Sequence, residues 1–150
     1  MKKSCLWCIF LCLTFFTCSL SGCGQKSPSA CIKKKDGALV CVAVETVRTQ
    51  AQRQLGLMYR QHLAHDAGML FFFDSEEKQA FTMKNTYIPL DIIFIGRDRR
   101  IAGWVENAAP LTDGPYGIER PSQYVLEVNG FFCRQHSISV GDTVLFDMVQ

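Results

Sequence analysis

Leu90-Asp91-Ile92-Ile93-Phe94-Ile95-Gly96-Arg97-Asp98-Arg99-Arg100-Ile101-Ala102-Gly103-Trp104-Val105 decides the class of fold. Two short apolar runs, rich in β-branched and aromatic residues, flank the charged turn Arg97-Asp98-Arg99, which is the pattern of a β-hairpin. Working outward, Leu39 to Thr46, Gly68 to Phe73, Ala80 to Asn85, Gln123 to Val128 and Thr143 to Met148 repeat the strand signal. Gly141-Asp142 marks the turn before the last of them, and the Pro/Gly-containing stretch Ala108 to Pro121 is long enough to form a functional rim. One helix is expected, from Thr49 to Leu55. Thr49 is its N-cap, Gln52 completes a capping box, and Gly56 closes the C-terminus. The expected fold is therefore mostly β, a β-rich α+β domain built as a small antiparallel sandwich or barrel with one short helix.

The N-terminus carries a different message. Lys2 and Lys3 precede a nearly uncharged apolar run from Leu6 to Leu20, which is too short to span a bilayer and has the order of a secretory signal. Leu20-Ser21-Gly22-Cys23 closes the run and resembles the lipobox of bacterial lipoproteins. That resemblance implies cleavage after residue 22, a diacylglyceryl group on Cys23, and commonly a further acyl chain on its amine. Two or more chains hold a protein at a membrane, where one gives only marginal binding. The expected organisation is a signal peptide at 1–22, a lipidated tether and the start of a first hairpin at 23–38, and one globular domain at 39–150. The domain would face the extracytoplasmic side of the cell membrane or outer membrane, with the bilayer as its partner through acylated Cys23.

The chain has 16 basic and 14 acidic residues, and loss of Lys2 and Lys3 with the signal brings them into balance. Nucleic acid is thereby an unexpected partner, since its binders need a basic surplus. Cys31 and Cys41 flank a three-residue hairpin loop, Lys35-Asp36-Gly37, with Gly37 at the left-handed position. That register sets Lys34 opposite Ala38 and Cys31 opposite Cys41, close enough for a disulfide in an oxidising compartment. The other reading is reduced thiols at Cys31, Cys41 and Cys133.

Ordered blocks then carry a family resemblance: Gly56-Leu57-Met58-Tyr59-Arg60, Gly68-Met69-Leu70-Phe71-Phe72-Phe73, Phe81-Thr82-Met83-Lys84-Asn85-Thr86, Pro89-Leu90-Asp91-Ile92-Ile93-Phe94, Tyr124-Val125-Leu126-Glu127 and Gly141-Asp142. From about Val42 onward the chain resembles domain-of-unknown-function family 192. It departs at Thr82, where the family often has an aromatic residue, and at Asn129, where a small residue is usual. The resemblance implies a compact, mostly β, often exported domain and no agreed activity.

Asp91 and Glu127 are charged residues inside apolar blocks, so each must be exposed, paired, hydrogen-bonded or functional. One reading puts both on a solvent-facing side of their strands or in a structural ion-pair and capping network. The other gathers Asp91, Glu127, Arg60, Lys84, Asn85 and Thr86 around a cleft for a small polar ligand, such as a sugar or peptide fragment of the envelope. An envelope hydrolase using Asp91 and Glu127 as paired carboxylates is the catalytic alternative. No Gly-x-Ser-x-Gly elbow is present, and Cys133 with His136 is only a faint Cys/His arrangement. Met58, Met69 and Met83, with His62 and His65 between them, offer a weak copper-type set, against the ordinary reading of core methionines and loop histidines. No cofactor is expected. The sequence points to a ligand-binding or envelope accessory module rather than an enzyme.

Overall fold

The computed structural model describes residues 28–147. The signal segment, Cys23 and Met148 lie outside the described residues. β1 (Ser29–Lys33) and β2 (Leu39–Val47) form the first hairpin in the expected register. Lys34 N donates to Ala38 O at 2.9 Å, Gly37 takes a φ of +88°, and Cys31 faces Cys41 with their sulfurs bonded at 2.07 Å. Within the span expected to hold tether and first hairpin, β1 begins at Ser29, and Ala30 is fully buried opposite Val42 and Phe146.

The helix α1 (Gln50–Leu55) has the expected capping box on Thr49 and Gln52. It lies in a crossover, and β3 (Ala67–Glu77) returns parallel to β2. The otherwise antiparallel sheet thus contains one parallel pair: a connection long enough to hold a helix can carry the chain back to the end it left. The strand expected over Ala80 to Asn85 shrinks to β4 (Ala80–Phe81), paired with β7 (Tyr116–Gly117) inside the long loop. After Phe81 the chain turns, with Asn85 at a φ of +57°.

β5 (Leu90–Ile95), β6 (Ile101–Ala108), β8 (Ser122–Asn129) and β9 (Thr143–Phe146) complete a seven-stranded sheet in the order β6-β5-β8-β3-β2-β1-β9. An Arg100–Thr143 bridge draws the β9 edge to the start of β6, so the sheet curls toward closure. A short α2 (Phe132–Gln135), not foreseen from sequence, follows β8.

Alternation along the central strands sorts side chains into two apolar layers. Leu70, Phe72, Ile93, Ile95, Leu126 and Val128 face one cluster with β1, β9 and α2. Met69, Phe71, Ile92, Phe94 and Val125 face another, covered by Leu57, Met83, Ile88 and the connections around them. Every residue of β5 is consequently buried. Each large side chain so covered stabilises the fold by about 1.5–3 kcal/mol, enough in sum to tolerate a costly polar group between the layers.

Candidate functional site

Two such polar groups exist in the centre of the sheet, and the strands place them on opposite faces. β5 pairs with β8 so that Ile92 stands opposite Glu127 and Asp91 opposite Val128. Asp91 therefore points with Val128 toward α2, and Glu127 points with Ile92 and Met69 into the other layer. Neither is solvent-exposed, at 0% and 5%, because strands covered on both faces use alternation to choose a layer and not to choose water. The exposed reading and the paired-carboxylate reading are both corrected by this register: two catalytic carboxyls must flank one substrate.

Asp91 is fully employed. Its Oδ1 accepts from Asn107 N at 2.8 Å and Phe131 N at 2.9 Å, and its Oδ2 accepts from Cys133 N at 2.8 Å. Those bonds tie β5 to the end of β6 and cap the first turn of α2. Cys133 is buried beside it, and burial, followed by the Asp91 carboxylate, pushes its thiol well above the ordinary range. A thiol held protonated is a poor nucleophile. His136 lies on the surface with its ring 4.4 Å from that of Phe132, so the Cys133 and His136 pair forms no catalytic couple.

Glu127 is the opposite case. Its Oε2 is buried without a hydrogen-bond partner, and burial alone raises its carboxyl to about 8, so it is neutral at pH 7. Asn107 Oδ1 and Ser122 Oγ are also buried and unpaired, but Glu127 is the one of the three that lines a cleft of about 370 Å³. Gln50, Arg53, Gln54 and Leu55 of α1 form one wall with Gly56, Leu57 and Met58; Phe71 and Phe73 of β3, Phe81 of β4, Thr82 and Thr86 supply the rest. None of the α1 residues is buried, and the cleft lies between this helix and the aromatic side chains of β3 and β4. Phe81 sits edge-to-face on Phe71, Phe73 and Phe94, fixing the aromatic side. Gly68 lets β3 close on β8 here, since a Cβ would meet Glu127 O at 2.6 Å.

A wider groove of about 700 Å³ runs past Glu76, Arg97, Asp98, Arg100 and Arg120. Volume favours it, but chemistry does not. Arg100 donates to Gly141 O, Arg120 to Ala102 O, and Glu76 accepts from Arg97 N, so these surface groups already serve the chain itself.

Of the six residues grouped from sequence, only Thr86 and Glu127 meet at the cleft. Arg60 instead forms a two-pronged pair with Glu45, its Nη2 2.6 Å from Oε2, which lowers the Glu45 carboxyl. Asn85 donates to the Tyr59 hydroxyl at 3.0 Å, and Lys84 is exposed. Met69 and Met83 are core residues at 4% and 1% exposure, Met58 borders the cleft, and His62 and His65 are exposed. The copper-type set is thus divided between core and surface. Phe71, Phe73 and Phe81 were missed as site residues because aromatic strand residues ordinarily mean core.

No curated protein sequence matches the chain. Among solved structures, a protein of unknown function from Novosphingobium aromaticivorans DSM 12444 is 36% identical with a TM-score of 0.74, over 79% of this chain and 83% of that one. A protein from Sinorhizobium meliloti 1021 described as a "putative transcription regulator" is 35% identical with a TM-score of 0.77, over 82% of this chain and 98% of its own. The profile of DUF192 (Uncharacterized ACR) matches residues 31–146, and the chain belongs to that family.

Proposed function

We propose that this is an exported protein held at a membrane by lipid on Cys23, whose β domain binds a small, partly apolar ligand in the cleft above Glu127. The observation that carries the binding reading is the unpartnered Glu127 carboxyl on the cleft floor. A buried polar group without a partner costs several kcal/mol, and a ligand that supplies the partner recovers that cost. An aromatic side of Phe71, Phe73 and Phe81 facing the polar Gln50, Arg53 and Gln54 suits a small molecule of mixed character. A role on DNA, which the description of the Sinorhizobium meliloti protein would suggest, finds no support in the balance of basic and acidic residues.

The membrane half of the reading is supported by Lys2, Lys3, the apolar run and Leu20-Ser21-Gly22-Cys23. β1 begins at Ser29, so an extended tether from Cys23 would keep the domain within about 20 Å of the lipid. Cys23→Ala should release the protein from the membrane fraction of expressing cells; unchanged attachment overturns the anchor. For the cleft, a thermal-shift screen of amines, amino acids, muropeptides and envelope sugars should raise the melting temperature with one class, because ligands of the folded state stabilise it. Phe81→Trp, which fills the cleft, should abolish that rise. A rise that survives Phe81→Trp places binding elsewhere, and no rise with any class defeats the reading.

A further inference from the structure

We infer that the ligand of this cleft is a compact organic amine, its protonated nitrogen held by the acceptor atoms of Glu127 and Thr86 and its carbon chain lying against Phe71, Phe81 and Met58. The inference rests on the cleft being a binding site and names the class of molecule it takes.

The hydrogen-bonding capacity left over on the cleft floor, around Glu127, Thr82 and Thr86, is what selects an amine. Each hydroxyl has one proton to give. Thr82 Oγ1 gives its proton to Thr112 O at 3.3 Å while accepting from Lys84 N at 3.1 Å, and Thr86 Oγ1 gives its own to Lys84 O at 3.5 Å. Both hydroxyls have lone pairs to offer a ligand. Glu127 adds a carboxyl whose Oε2 meets no donor. An alkylammonium brings three N–H donors and a positive charge to this acceptor-rich floor. Aromatic faces attract such a cation as well. A carboxylate or phosphate would find one donor here, the proton of the neutral Glu127 carboxyl, and would forbid the ionised form that an ammonium favours.

Among the described residues, none forms an ion pair with Glu127. β3 and β5 face Glu127 with Met69 and Ile92, and β8 offers no second charge beside it. Lys84, on the covering connection, is exposed to solvent. Arg53 of α1 lines the cleft, but its Nη1 donates to Arg48 O and Phe72 O, and its guanidinium lies 5.3 Å from the Phe73 ring centroid. Burial is what raises the Glu127 carboxyl, and no ion pair among the described residues offsets it. Docking an ammonium there draws the carboxyl into its ionised form, and the Glu127 proton leaves to the buffer while the amine keeps its own.

The test is a titration of the full-length protein with n-butylammonium chloride, n-butanol and sodium butyrate, followed by NMR at pH 6, 7 and 8.5. n-Butylammonium should bind more tightly than n-butanol, and butyrate should not bind. Since Glu127 keeps its proton to about pH 8, n-butylammonium should tighten about tenfold from pH 6 to pH 7 and level off above pH 8. Glu127→Gln, which keeps the shape and cannot ionise, should remove both the preference and the pH dependence. Tight n-butanol binding with a flat pH profile overturns the amine and leaves the cleft a binding site. If neither probe binds, cleft and amine fall together. The pH series on the unmodified protein decides the matter even where the variant folds poorly.

Discussion

Asp91 and Glu127 stand one register step apart on neighbouring strands, buried to nearly the same degree, and they lead opposite lives. Asp91 receives three backbone N–H groups and fastens β5, β6 and α2 together; Glu127 receives none and faces a cleft. A buried carboxyl surrounded by converging donors is a structural fastener. One kept without donors, at a cost to stability, is what a binding site would retain. Burial alone does not separate the two roles. Partner count does.

The largest effect should come from removing the fastener. Asp91→Ala leaves three N–H groups without their acceptor and should destabilise the domain by about 3–5 kcal/mol, read by urea unfolding. A loss below about 1 kcal/mol would erase the contrast with Glu127.

Next in size is the pH response of Glu127. The folded protein holds this proton to about pH 8, whereas an unfolded chain releases it near 4.5. The folded state therefore binds more protons across that window, and stability should fall as pH rises through it, by about 3 kcal/mol in all from pH 5 to pH 8. Glu127→Gln should match the unmodified protein near pH 5 and exceed it by a similar margin at pH 8. Unfolding curves that do not change with pH would mean that Glu127 is not held neutral.

Smaller effects sharpen the comparison by probing the cleft wall and a residue outside it. Thr49→Ala removes the capping box of α1 and should cost about 1 kcal/mol, with weaker n-butylammonium binding because α1 forms one wall. Arg60→Ala breaks only a surface pair with Glu45 and should cost about 0.5 kcal/mol, leaving n-butylammonium affinity unchanged. Altered affinity there would restore Arg60 to the site.

Sequence by itself determined the local parts of this protein. The Cys31–Cys41 register followed from one loop and one glycine, and the helix from Thr49, Gln52 and Gly56, because turns and caps are specified within a few residues. The ordered blocks from Gly56 to Asp142 carried the family, and the apolar runs carried the mostly β class. Sequence also picked out Asp91 and Glu127 as residues needing an explanation, since a charge among core residues is visible in one dimension. Which explanation each receives was decided only by tertiary structure. The parallel return of β3 and the layer that each carboxyl enters depend on which strands meet; so do the donors found there and the gap left under α1. Strand pairing and the placing of a helix against a sheet are relations between segments far apart in the chain, and no local propensity encodes them.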